Sequence, residues 1–553
     1  MICKKATAPP CDARLATVAV QVSPTHVSSG PVNLQLSGAA TRRTGLSVSK
    51  TGKDGAMFPV ATRSSDLPLY GELVMAELAS MSALALSAAY RARELSPVEV
   101  LGSCLERIER FEPKVNAFVV LDREGALTAA RASELRWRRG EQLGPADGVP
   151  ATIKDNIAWH GLPTRQGSLL TTETPAAFDA PAVARLKEAG CVLLGKTTMP
   201  EFGWKGVGDS PLTGITRNPW DLSRTSGGSS AGAAVAALLG MGILHLGTDG
   251  AGSIRIPASF CGVVGFKPSY GAVPSYPLSA MGGLAHVGPL ARTVAEAALM
   301  LSIIGRPDHR DPTAWNEIPP GFHEGLDKGA RGLRVGCSVD LGYAEHLDPE
   351  AISGLRRAAD RFHALGAFVE DVNPELDDPK DVLATLWEAG AALILRSFSD
   401  QDRSRCDPGM AGAAKRGEEV DGASVIEAIT PKRIALSAKL NQLFERYDLL
   451  ITPQMATTAL PAGMDTPPPG FAARKEWGTD WIDWSPFTYP FNIAQLPAIS
   501  VPCGFDREGL PIGVQIVGPM RADALVLRAA HALEAAMPPG AIDKAKADLL
   551  ASF

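Results

Sequence analysis

Cysteine is scarce and badly spaced for a framework, with eight in 553 residues at positions 3, 11, 104, 191, 261, 337, 406 and 503 and no C-x-x-C pair. That spacing excludes a disulfide scaffold and a cysteine zinc site, and it makes a reducing, cytoplasmic compartment the default. A basic surplus is missing too, because the net charge is -6. Neither a nucleic-acid backbone nor an anionic membrane surface is therefore an expected partner. No His, Asp or Glu cluster has metal-ligand spacing, and neither a metal nor a cofactor is expected. The run 229–248 lacks charged side chains, yet Gly232, Gly240, Gly242, His245 and Gly247 divide it. It reads as a small-residue helix over 230–239 and a strand over 243–246, both buried in a covered parallel sheet, and not as a membrane span.

What is present supports a large core: 45% hydrophobic and 21% charged residues are close to a globular average. The beginning of the chain differs. Residues 1–65 carry Lys4, Lys5, Arg14, Arg42, Arg43, Lys50, Lys53 and Arg63 against only Asp12 and Asp54, amid many Ser, Thr, Gly and Pro. A poorly ordered extension is expected over 1–72, with a transit peptide or read-through upstream of a start at Met57 or Met75 as the other readings. One globular unit is expected over 73–553. Within it, Ser96-Pro97-x-Glu99 is a capping box followed by apolar residues at helical spacing, which predicts a helix over 95–112. From Gly148 the pattern becomes strand (GVPATIKD), helix (183–189) and strand (191–194), an α/β arrangement.

The chemistry concentrates in 225–257, TSGGSSAGAAVAALLGMGILHLGTDGAGSIRIP. Two Gly-Ser loops flank one helix and one strand, so a parallel crossover would bring both loops to the same sheet edge. Glycines let backbone N–H groups approach a ligand, and serines supply nucleophiles or proton relays. Gly228-Ser229-Ser230-Ala231-Gly232 also fits G-x-S-x-G, an esterase-like nucleophile elbow at Ser230. That reading needs a downstream acid and histidine, and His363 and His531 sit in helical Ala-rich patterns instead.

The stretch from Gly227 through GSSAG to GTDGAGSIRIPASFCGVVGFKPSYG resembles the amidase signature family, together with Lys154 in GVPATIKDNI, YDLLITP, FNIAQLPAISVPCGF and GLPIGVQIVGP. The resemblance covers about residues 76–540. It implies an α/β/α sandwich with a large mixed, mostly parallel central sheet, and hydrolysis of a carboxylic amide through an acyl-enzyme without a cofactor. It also implies Lys154 as the base, Ser229 as a bridging serine after a cis peptide and Ser253 as the nucleophile. The N–H groups of Gly250, Ala251, Gly252 and Ser253 would form an oxyanion hole, with Ser230 assisting and Asp249 and Arg255 as a supporting pair. A lysine base must be neutral, which at pH 7 costs roughly 4.6 kcal/mol for an ordinary lysine. Burial must therefore lower its pKa, with Asp155 turned away along the strand and His160 left as a loop residue. This chain departs from the family pattern at Ala231, Ala233, Gly250-Ala251 and Thr198. The methyl of Ala251 is tolerable only with ordinary backbone angles.

Two features bear on the substrate. Trp477, Trp481, Trp484, Phe487, Tyr489 and Phe491 crowd one short stretch. They either form a loop's own core or line an apolar pocket, the latter suiting a bulky or aryl amide, with Trp477, Trp481, Trp484 and Phe487 as candidate lining. The same family contains the glutamine-hydrolysing component of tRNA-dependent amidotransferases, the alternative reading. Arg474, Lys475, Asp480 and Asp483 are candidate charges for such a substrate. A catalytically silent binding protein is the remaining one. The expected partner is a small-molecule amide, and a homodimer is compatible with the composition.

Overall fold

The computed structural model describes residues 78–318, 321–464, 481–537 and 541–553. The extension expected over 1–72 and Trp477 lie outside the described residues, as do Arg474, Lys475 and Asp480. Contacts divide the chain into Met1–Ser64 and Ser65–Phe553, and every described residue belongs to the second unit.

Eleven strands form one sheet. In chain order they are β1 Phe118–Leu121, β2 Pro150–Lys154, β3 Val192–Thr197, β4 Leu244–Asp249, β5 Val264–Lys267 and β6 His286–Ala291. Then come β7 Arg334–Cys337, β8 Phe368–Asp371, β9 Leu449–Pro453, β10 Ala498–Phe505 and β11 Pro511–Val517. Their order across the sheet is β1-β3-β2-β4-β6-β5-β10-β11-β9-β7-β8. The sheet is large and mixed, as expected, but its parallel ladders are confined to two blocks, β3-β2-β4 and β9-β7-β8. All other neighbours are antiparallel, because hairpin-like returns such as β10 to β11 replace helical crossovers.

Helices cover both faces. Along β3, Val192 and Leu194 enter a core shared with α1 (Pro97–Val115), Arg123–Arg139 and α2 (Ala231–Leu239). Leu193 enters the other core, with Pro181–Glu188, Val294–Ile304, Pro349–Ala364 and Asp523–Ala536. Burial on both faces is why these strands lack alternating polar residues. The capping box of α1 forms as expected, with Ser96 accepting from Glu99 N and Glu99 accepting from Ser96 N. The uncharged run becomes α2 and β4, and among the described residues no helix is long and apolar enough to cross a membrane. Small residues let α2 sit close to the sheet: a Cβ on Gly232 would fall 2.0 Å from Ala117 O.

A third apolar cluster joins Trp204, Trp481, Trp484, Phe487, Tyr489 and Phe491 to the helices Lys380–Leu395, Pro408–Gly417 and Arg433–Arg446. The aromatic stretch is thus a core of its own. Of the two readings offered for this stretch, the loop core is the one seen, and the pocket-lining one is corrected for Trp481, Trp484 and Phe487, which do not line the cleft that holds Ser229 and Ser253. Trp484 stacks on Phe260, and Trp481 backs Trp387.

Candidate active site

Lys154 ends β2 between β3 and β4, where two parallel neighbours remove it from water. Its Nζ lies 2.8 Å from Ser229 Oγ, 2.9 Å from Thr248 Oγ1 and 3.4 Å from Thr248 O. Burial brings its pKa down to about 7, against a weaker upward pull from Asp249. Successive strand residues point to opposite faces, so Asp155 turns away and pairs with Lys196 at 3.1 Å. His160 is an exposed loop residue whose N–H donates to Asp179.

Ser229 and Ser230 close the loop before α2. The Gly228–Ser229 peptide is cis. Ser229 reaches Lys154, whereas Ser230 Oγ faces β4, donating to Thr248 O at 3.2 Å and accepting from Thr248 N at 3.3 Å. Ser230 N donates to Ser253 O at 3.0 Å, which ties the first serine loop to the second. Sequence reasoning missed Thr248. Its hydroxyl sits between Lys154 Nζ and Asn156 Nδ2, the latter at 3.0 Å.

The second loop, from Asp249 into α3 (Arg255–Cys261), is organised around a buried ion pair. Asp249 Oδ2 accepts from Arg255 Nε at 2.9 Å and Oδ1 from a second guanidinium N–H at 3.0 Å. Arg255 also donates to Thr488 O, Gln515 Oε1 and Asn492 Oδ1. Burial alone would raise Asp249, but Arg255, Lys267 and Asn492 hold its carboxyl well below the usual carboxylate range.

Asp249 also selects which loop amides stay free. Gly252 N donates to Asp249 Oδ1 at 2.7 Å and Ile254 N to Oδ2 at 3.1 Å. The expectation that Gly252 contributes to an oxyanion hole is therefore corrected, since its N–H is turned inward by the carboxylate. The N–H groups of Gly250, Ala251 and Ser253 have no hydrogen-bond partner among the described residues. Gly252 is at φ +123°, which requires glycine, while Ala251 keeps an ordinary negative φ and its carbonyl accepts from Thr488 Oγ1 at 2.6 Å.

Ser229, Thr248, Gly250 and Ser253 meet in a cleft of about 500 Å³. Ser230 does not line it, and no histidine side chain bonds to Ser230, so the elbow constellation does not assemble among the described residues. The apolar wall is built from Phe178, Phe202, Tyr276, Met281, Trp387 and Ile394, none of them anticipated. Among the described residues the lining contains no Asp, Glu, Lys or Arg. The described residues contain no group of three or more potential metal-ligating side chains, and their six cysteines are free and buried.

A family model described as Amidase matches residues 99–527. The chain is 37% identical over 476 residues to an acylamidase of Rhodococcus erythropolis, covering 85% of this chain and 98% of that one. It is 36% identical over 471 residues to the A-type component of the glutamyl-tRNA(Gln) amidotransferase of Synechococcus sp. (strain CC9605), covering 80% and 94%. Among solved structures, a bacterial aryl acylamidase of the amidase signature enzymes aligns with TM-score 0.79 and 29% identity, covering 85% of this chain and 98% of that one.

Proposed function

The chain belongs to the amidase family of amide-hydrolysing enzymes, and on that premise we propose that it cleaves bulky apolar or aryl carboxylic amides through an acyl-enzyme on Ser253. The observation that carries the reading is a buried lysine with a pKa near 7, set 2.8 Å behind Ser229 in a cleft shared with Ser253.

Neutral Lys154 has two N–H groups and one lone pair. Thr248 Oγ1 and O accept the two N–H groups, which aims the lone pair at the Ser229 hydroxyl. Ser229 then passes the Ser253 proton to Lys154 as the Ser253 oxygen attacks the carbonyl carbon. The carbonyl oxygen becomes an oxyanion facing the free N–H groups of Gly250, Ala251 and Ser253. The proton returns through Ser229 to the leaving nitrogen, the C–N bond breaks and amine departs. Water then attacks the acyl-Ser253 ester with the same lysine as base, releasing acid. Ser230 acts at one remove by fixing Thr248, and Asp249 with Arg255 fixes the loop.

The wall of Phe178, Phe202 and Trp387 favours an apolar or ring-bearing substrate, whose burial stabilises binding by about 25 cal/mol per Å². A glutamine-hydrolysing amidotransferase component is the alternative, supported by the similarity to such proteins. Glutamine requires charged or polar partners for its α-ammonium and α-carboxylate, and the described lining offers no charge. The test is kcat/KM of the isolated chain for an anilide and for glutamine. Higher anilide activity supports the aryl-amide reading. Glutamine preference, or activity only with added partner proteins and tRNA, replaces it with the amidotransferase one.

A further inference from the structure

The amine of Lys154 keeps its lone pair for Ser229 only while Thr248 takes its N–H groups, so whatever holds Thr248 in place matters to the base. Ser230 grips the backbone of Thr248, at its N–H and at its carbonyl. The hydroxyl has a different holder. Directly after β2 the chain turns, closed by Ile157 N donating to Lys154 O at 3.0 Å, and the turn brings Asn156 back to the end of β4. Asparagine suits such a turn. Its Nδ2 donates to Thr248 Oγ1 at 3.0 Å, while Lys154 Nζ lies 2.9 Å from the same oxygen. With a single oxygen between them, a charge on one of these side chains would move the titration of the other.

The other end of the amide is orphaned: Asn156 Oδ1 is buried with no hydrogen-bond partner among the described residues. Burying an unpaired carbonyl costs stability, so the fold alone would be better served by an apolar residue. The chemistry of the amide accounts for its presence. It donates, which pins the Thr248 hydroxyl, and it is neutral, which brings no negative charge to the amine. An aspartate in the same place would stabilise the ammonium form of Lys154 and remove the base. Charged groups on the neighbouring strands are committed elsewhere, since Asp155 pairs with Lys196 of β3 and Asp249 of β4 pairs with Arg255. Burial keeps His286, at the start of β6, neutral. We propose that Asn156 is a positioning residue, whose neutral amide clamps the Thr248 hydroxyl where it accepts a Lys154 N–H and so keeps the lysine lone pair on Ser229. The inference rests on the reading of Lys154 as the base.

The test is a double-mutant cycle with Thr248→Val, which keeps the side-chain shape and removes the hydroxyl, read as kcat/KM for one anilide across a pH profile. Asn156→Leu lowers the plateau at high pH by about tenfold or more, the loss expected for one hydrogen bond acting on the reacting groups. In the Thr248→Val background the same substitution changes the rate by less than about twofold, because the atom it acts through is gone. Asn156→Asp moves the midpoint of the profile up by about one unit or more, so that activity falls about fivefold or more at pH 7 and returns above about pH 9. A wild-type rate in Asn156→Leu, a loss undiminished in Thr248→Val, or an unmoved midpoint in Asn156→Asp overturns the proposal. Labelling of Ser253 by a fluorophosphonate separates this role from the base itself. Labelling that rises with pH equally in wild type and in Asn156→Leu refutes the role of Asn156 alone, whereas labelling independent of pH, or none, removes the lysine base beneath it. If Asn156→Leu does not fold, Asn156→Ala and Asn156→Ser take its place in the same cycle.

Discussion

Replacing Lys154 by methionine separates the stability of the protein from its activity in a pH-dependent way. In the folded chain the amine titrates at about 7, because it is buried with no ion-pair partner among the described residues. In the unfolded chain it returns to about 10.4. Between those values the unfolded state binds a proton that the folded state does not, so this group makes stability rise with pH. Below pH 7 its penalty is full: a gap of about 3.4 pH units at about 1.4 kcal/mol each is about 5 kcal/mol. By pH 9 about 2 kcal/mol remains, and above the unfolded value none does. Methionine is neutral at every pH and of similar volume. It loses the amine's contacts to Ser229 and Thr248, a loss independent of pH over this range. The difference in unfolding free energy between Lys154→Met and wild type should therefore favour the variant more at pH 6 than at pH 9, by about 3 kcal/mol. Equilibrium urea unfolding of both proteins at fixed ionic strength, from pH 6 to 9, measures it, and other titrating groups cancel in the difference. A difference that does not change with pH would mean that the folded amine keeps its ordinary pKa, and the lysine base would be lost with it. Wild-type kcat/KM should accordingly rise through about pH 7 and level off above it.

Ser253→Ala should abolish turnover, whereas Ser230→Ala should retain about a tenth to a hundredth of it, because Ser230 acts only by holding Thr248; steady-state rates on one anilide decide this. Trp484→Ala should cost about 3–5 kcal/mol of stability, measured by urea unfolding, since Trp484 is wholly buried. Trp387→Ala should instead raise KM for an anilide, because that ring forms the cleft wall over Gly250. Removing residues 1–65 should leave melting temperature and activity nearly unchanged, and a large drop in either would show that the segment belongs to the catalytic unit.

Local chemistry was the legible part of this protein. The capping box at Ser96, the strand ending in Lys154, and the helix and strand between the two serine loops follow from spacing and turn residues within a few positions of one another. The placement of Lys154 beside Ser229 came instead from the resemblance to the amidase signature family, because nothing in the spacing between Lys154 and the serine loops by itself brings them together. The apolar wall was hidden for the opposite reason. Phe178, Phe202, Trp387 and Ile394 come from segments far apart in the chain, and only tertiary packing turns them toward one space. The aromatic residues 481–491 left two readings open, a loop core and a pocket wall, because their density reports that the stretch must be buried, not against what. Gly252 shows a finer limit: the direction of its N–H depends on where the Asp249 carboxylate is held, which Arg255 at the start of the next helix sets together with Asn492 and Gln515 from distant parts of the chain.

The central claim, an amide hydrolase that acylates Ser253 through Lys154 and Ser229, is tested most directly by trapping the acyl group. The chain is mixed with an anilide, quenched in acid within the first turnovers, digested and mapped by mass spectrometry. One acyl group per chain is expected on the peptide containing Ser253, absent from Ser253→Ala and from Lys154→Met. An acyl group on Ser230, or sustained turnover with no acylated serine, would contradict the claim.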